Sequence, residues 1–89
     1  MHSVINFVQL ENRVISATYR HLMIRAKVVL VDKESGAELA EPVITITSPV
    51  PSGVLRIRLP DSIAGGVYYL KALNAYGEYL ARSADFVID

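Results

Sequence analysis

Gly65-Gly66-Val67-Tyr68-Tyr69-Leu70-Lys71-Ala72-Leu73-Asn74-Ala75-Tyr76-Gly77-Glu78, continuing through Tyr79-Leu80-Ala81-Arg82-Ser83-Ala84-Asp85-Phe86-Val87-Ile88-Asp89, is the stretch whose reading decides the fold. Two apolar, aromatic-rich runs flank Asn74, Ala75, Tyr76 and Gly77. Extended runs interrupted by a short segment of turn formers predict two antiparallel strands joined by a tight Gly-containing turn. In the first strand the inward set is Tyr68, Leu70 and Ala72; in the second it is Leu80, Ala84, Phe86 and Ile88. Arg82 falls on the inward parity of the second strand, so a bulge or a rim position is expected there rather than a buried charge.

Upstream, the same alternation recurs. Leu55, Ile57 and Leu59 alternate with Val54, Arg56 and Arg58, a strand with a basic outer row. Pro60 to Gly66 forms the corner that leads into the hairpin. Before it, Ser48-Pro49-Val50-Pro51-Ser52-Gly53 is the strongest breaker in the chain and reads as a crossover between sheets. Leu39 to Thr47 is another strand, with Ile44 and Ile46 inward, Val43, Thr45 and Thr47 outward, and Pro42 confined to its start or to an edge. The clearest period-two run is Leu22, Ile24, Ala26, Val28 and Leu30 against Met23, Arg25 and Lys27. It is expected to form one long central strand. Asp32 to Gly36 is a polar turn. Arg13 to Tyr19 alternates well, with Ile15, Ala17 and Tyr19 on one side. Val4 to Leu10 is apolar enough for a first edge strand, although neither parity wins.

The run Ala64, Gly65, Gly66, Val67, Tyr68, Leu70, followed by Ala72, Asn74, Gly77 and Glu78, resembles the end of an immunoglobulin-like domain. There a small-Gly-x-Tyr segment enters strand F, the Tyr forms a corner, and Ala-x-Asn-x-x-Gly makes the F–G hairpin. The resemblance places Tyr68 at the corner, and it places Leu70 where disulfide-bonded members carry their second cysteine. Gly66, Tyr68, Leu70, Gly77, Ser83, Phe86 and Ile88 also follow the order seen in filamin-type and bacterial immunoglobulin-like repeats. The hairpin here is longer, and two residues rather than one separate Ser83 from Phe86. The likeness covers roughly residues 54–89. No cysteine and no tryptophan stand behind it, so the core must be aliphatic.

Eighty-nine residues suit one domain spanning 1–89, an all-β, single immunoglobulin-like antiparallel sandwich of about seven strands. A hydrophobic fraction of 52% is high for so short a chain, so some apolar groups must stay outside. Nine basic and nine acidic residues give a net charge of zero, which supplies no global field toward nucleic acid or membrane. The first residues lack a basic segment, a long apolar core and a cleavage site. No apolar run is long enough to cross a bilayer as a helix. The chain is compatible with a piece of a larger extracellular or cytoplasmic protein.

Catalytic raw material is thin. His2 and His21 are far apart and lack any zinc-ligand spacing; a solvated strand end is the simpler reading of His21. Ser62 beside Asp61 has no nucleophile-elbow pattern, and Gly65-Gly66 lacks the Lys and Ser/Thr of a phosphate loop. The acidic residues do not cluster as in a calcium loop. No catalytic residue, cofactor or metal is therefore expected.

Two surfaces remain. If the strands carrying them are neighbours, Arg25, Lys27, Arg56 and Arg58 form a basic strip for an acidic partner, against the simpler reading of solvated residues balanced by nearby acids. Val43, Thr45, Tyr69, Leu73, Tyr79 and Val87 share the outward parity of the presumed C, F and G strands. Tyrosines and aliphatics on an open sheet suit a protein or dimer contact, against a mixed or loop-covered surface. Tyr76 at the turn extends either that patch or a loop-end site. The expected function is a non-enzymatic binding or assembly module using this face. The alternative is a carbohydrate- or other ligand-binding accessory domain whose exposed tyrosines stack on sugars.

Overall fold

Strands that alternate apolar and polar residues have one face to bury, and this chain buries them by stacking two antiparallel sheets. The structure, a computed structural model, describes residues 3–46 and 52–88, with the backbone alone at Phe7 and residues 40–43. Eight strands and no helix are found among the described residues: β1 (Val4–Glu11), β2 (Val14–Arg20), β3 (Lys27–Asp32), β4 (Glu38–Thr45), β5 (Ser52–Arg58), β6 (Gly66–Leu73), β7 (Tyr79–Arg82) and β8 (Phe86–Ile88). One sheet has the order β1-β2-β5. The other has β4-β3-β6-β7, with β8 following β7 along the same side of β6. The chain changes sheet between β4 and β5, as the breaker predicts, although residues 47–51 of that crossover lie outside the described ones.

The inward rows meet in a single aliphatic core. Ile15, Ala17 and Tyr19 of β2, Leu55 and Ile57 of β5, Val28 and Leu30 of β3, and Tyr68, Leu70 and Ala72 of β6 are all buried, as their parity requires. Leu59, just past β5, is buried as well, and its N–H donates to the Arg13 carbonyl at 2.9 Å. Gly53 lies inside β5 rather than in the breaker, paired with Tyr19. A Cβ there would stand 2.5 Å from the Tyr19 hydroxyl. The glycine lets the phenol lie across the strand.

Two expectations need correction. The run from Leu22 to Leu30 is not one strand. Met23 to Ala26 is a turn closed by the Ala26 N–H on the Met23 carbonyl (3.0 Å), with Arg25 at φ 72°, and it leaves Ile24 exposed while Leu22 and Ala26 stay buried. The remaining strand, β3, sits in the opposite sheet from β5; the place beside β5 belongs to β2. β3 is central, so Val29 and Val31 on its other face are covered too, which is why Val28 to Val31 reads as an unbroken apolar run.

The second correction, in the last strand, and the undecided parity of Val4 to Leu10 have one cause, an extra residue in an edge strand. In β1 the pairing with β2 shifts between Asn6 and Gln9. Ile5 therefore points inward before the shift, and Val8 and Leu10 pack on the core after it. In β7, Arg82 pairs with Lys71 and Ala81 with Ala72, but Tyr79 pairs with Leu73, so Leu80 is supernumerary. The bulge brings Ala81 and Ser83 inward, turns Arg82 outward, and leaves Ala84 exposed where it was expected to be buried. Leu80 and Phe86 are only partly buried against the core.

Two side chains hold the last third together. The Tyr68 hydroxyl donates to the Ala64 carbonyl at 2.8 Å, closing the corner before β6. Where β7 stops and β8 has not begun, Ser83 bridges the gap. Its N–H donates to the Leu70 carbonyl (2.8 Å) and its Oγ accepts the Leu70 N–H (2.9 Å) while donating to the Ala84 carbonyl (2.9 Å). A buried N–H stripped of its acceptor costs about 1–3 kcal/mol. Ser83→Ala is therefore expected to lower the melting temperature by roughly 4–8 °C per kcal/mol lost. Tyr68→Phe should cost about 1 kcal/mol, and the exposed Ser62→Ala less than about 0.5 kcal/mol. Differential scanning calorimetry of the three variants checks this order.

Candidate functional site

The outward face of the second sheet is built in rows that the register fixes. At one end stand Thr45, Lys27, Leu73 and Tyr79. The next row is Val43, Val29, Lys71 and Arg82, and the third is Glu38, Val31 and Tyr69. Val67 and Val87 pair at the far end. Thr45, Tyr69, Leu73, Tyr79 and Val87 thus share one face, as their parity predicts. The backbone of Val43 belongs to the same row, while its side chain lies outside what is described.

Charge pairs fill the middle of this face. The bulge at Leu80 places the Arg82 guanidinium over the Tyr69 ring, 3.7 Å from its centroid, a cation–π contact worth about 0.5–1 kcal/mol at an exposed site. Arg82 Nη2 also donates to Asp85 Oδ1 at 2.7 Å, and the other oxygen of Asp85 receives Lys33 Nζ. Lys71 Nζ reaches Glu38 Oε2 at 2.5 Å. Val29 and Val31, in the same rows, are buried. With Arg82 over it, Tyr69 has one side occupied and is only half-exposed.

Apolar exposure is left at the two ends. Tyr79 is 57% exposed beside Leu73, and Val87 and Val67 are 59% and 41% exposed at the other end. Beyond Leu73 the strands give way to loops. Asn74 shapes the turn, its Oδ1 accepting the N–H groups of Tyr76 and Glu78 at 2.9 Å each, with Gly77 at φ 82°. That turn holds Tyr76 out at 89% exposure. The turn of Met23 and Ile24, 73% and 46% exposed, lies at the same end of the sandwich, because Lys27 pairs with Leu73. The sequence reading put Met23 on the outward face but Ile24 on the inward one, and so missed Ile24 as a surface group. Strict alternation through residues 22–26 gave no signal of the turn.

The expected basic strip does not form. Arg56 and Arg58 lie on the outer face of β5 in the first sheet, Lys27 lies on the outer face of the second, and Arg25 sits in the turn before β3. Placing β3 next to β5 was the error. His21 is an exposed loop residue at φ 58° whose carbonyl accepts Ser3 Oγ; His2 lies outside the described residues. Among the described residues no three His, Cys, Asp or Glu side chains gather to hold a metal. An open cleft of about 470 Å³ beside the β1–β2 turn is lined by Asn12, Arg13, Arg58, Leu59, Pro60 and Asp61, where Arg13 Nη2 is committed to the Pro60 carbonyl at 2.7 Å. No protein-family model matches the chain, and comparison with curated proteins finds no match.

The ion pairs set the protonation of this face. The Lys33 hydrogen bond, assisted by the charge of Arg82, holds the Asp85 carboxyl below its usual value of 3.8, against a smaller opposing effect of desolvation. The hydrogen bond that Lys71 donates to Glu38 raises Lys71 above its usual 10.5, again opposed by desolvation. A depressed acid stabilises the fold above its unfolded pKa, and that contribution is lost as pH falls through the folded value. NMR titration of Asp85 should therefore give a midpoint below 3.8 that moves up toward it in Lys33→Met. A midpoint unmoved by that substitution would show that the pair does not persist in solution.

Proposed function

We infer that this chain is a non-enzymatic immunoglobulin-like module that makes protein–protein contacts, with a second copy of itself as the first partner to test. Support for the immunoglobulin-like reading comes from the strand order. β1-β2-β5 facing β4-β3-β6-β7/β8 is equivalent to A-B-E facing C′-C-F-G, with the chain's last strand broken in two. The Tyr68 corner and the Asn74 turn stand at the places where that family carries them.

The observation that carries the functional reading is the distribution of apolar exposure. Exposed Tyr79, beside partly buried Leu73, continues over the sheet end to Tyr76 at the F–G turn, while Lys33, Lys71 and Arg82 in the middle of the face are held by Asp85 and Glu38. Large amphipathic side chains of this kind suit a protein contact, with the exposed charge of Lys27 at the patch's border beside Leu73. The same tyrosines could stack on sugar rings, but Tyr69, the most central, has one side under Arg82 and offers no free platform. That geometry favours protein over carbohydrate.

Sedimentation equilibrium over a concentration series tests the proposal. Wild type should show reversible dimerisation that Leu73→Glu and Tyr79→Glu each weaken by about tenfold or more, the loss typical of a central contact residue. A strict monomer whose Tyr79→Ala variant loses binding on a glycan array would transfer the site to the carbohydrate reading.

A further inference from the structure

The opposite sheet carries a second surface of a different kind. β5 pairs with β2 on one side only and is the edge of its sheet. The Leu59 N–H donates to the Arg13 carbonyl, so the β2-facing positions run in steps of two: Leu59, Ile57, Leu55 and Gly53. The N–H and C=O groups of Ser52, Val54, Arg56 and Arg58 consequently point to the free edge. No backbone hydrogen bond to them is found from any described residue.

The same four residues present their side chains on the exposed outer face, with Val54 65% exposed. Arg20 of β2 is paired with Ser52 and extends the row. Arg20, Arg56 and Arg58 form no ion pair among the described residues, whereas every ion pair found there involves residues of the other sheet and its loops. An edge strand with unsatisfied backbone groups is a template for another strand. Its side chains then select the strand that is added.

A second copy fits this edge poorly. Two β5 strands paired antiparallel about a two-fold axis would set Arg56 and Arg58 of both copies on one face, and like charges directly or diagonally opposed destabilise a ladder. An added strand with acidic residues at every second position would instead place carboxylates beside Arg56 and Arg58. Its alternate residues would face the side of the sandwich where Leu55 and Ile57 lie. We propose that β5 is a docking edge for an extended acidic segment of a partner protein, bound by β-strand addition with its acidic side chains against Arg56 and Arg58. This surface is separate from the tyrosine-bearing face and does not depend on it.

The test uses the whole chain and two acetylated, amidated peptides matched in length to β5, one alternating Glu and Val, the other Lys and Val. The Glu peptide should bind, with affinity falling as salt rises, and it should slow hydrogen exchange at the amides of Val54, Arg56 and Arg58. Arg56→Glu combined with Arg58→Glu should reverse the preference, weakening the Glu peptide by about tenfold or more. Val54→Pro removes one edge-facing N–H while leaving both arginines, and it should weaken binding even though the melting temperature is retained. The proposal is overturned if neither peptide binds, or if the Glu peptide binds without protecting those amides. It is overturned equally if heparin or a single-stranded oligonucleotide competes fully while Val54→Pro has no effect, since the arginines would then be a plain polyanion site.

Discussion

A β-strand can satisfy one neighbour on each side, and β6 has to serve three. β3 lies along one side of it; on the other, β7 covers its second half and β8 its first. The edge strand cannot run straight past, because the bulge at Leu80 has already put it out of phase. Leu70 sits where one partner ends and the next begins, fully buried. Ser83 resolves that conflict by offering both backbone and side chain to the same residue. A buried polar group left alone would cost more than the neighbouring ladder bonds contribute singly, so this serine holds the broken last strand to β6.

The same irregularity shapes the surface. With Leu80 looped out, Arg82 turns from the core side to the outer face. It stacks on Tyr69 and holds Asp85, and Asp85 in turn takes Lys33. Most charges of that sheet are paired locally, Lys33, Arg82 and Lys71 with Asp85 and Glu38, and its apolar exposure is pushed to the two ends. On the other sheet Arg20, Arg56 and Arg58 form no ion pair among the described residues. A chain of zero net charge thus carries a largely paired face and an edge of unpaired arginines, a polarity that counting residues cannot reveal.

Much of the fold was legible because period two is a direct consequence of pleating. Ile15/Ala17/Tyr19, Leu55/Ile57/Leu59 and Tyr68/Leu70/Ala72 all went where alternation put them, and the hydrogen bond of Tyr68 to Ala64 is the corner that the resemblance to immunoglobulin-like domains implied. What failed, failed at irregularities. The lack of a winning parity in Val4 to Leu10 was itself the trace of a bulge. Leu22 to Ala26 kept the alternation by chance while turning, since a left-handed residue at Arg25 has no signature as plain as glycine. The partner of β3 was unreadable for another reason: Val28 to Val31 is apolar on both faces, which tells that the strand is central but not in which sheet. The outward tyrosine row survived because it needs only parity, and the basic strip did not because it needed a neighbour.

Ser83 gives a reason for its place in the pattern Gly66, Tyr68, Leu70, Gly77, Ser83, Phe86, Ile88: it marks the break in the last strand. The account stands or falls on whether that break is sealed. Native-state hydrogen exchange at the Leu70 amide reads this directly. A sealed bridge predicts that Leu70 exchanges only through global unfolding, with the same free energy as the Leu30 amide of the central strand. Exchange of Leu70 at the rate of the loop amides around Asn74 to Gly77 would contradict it.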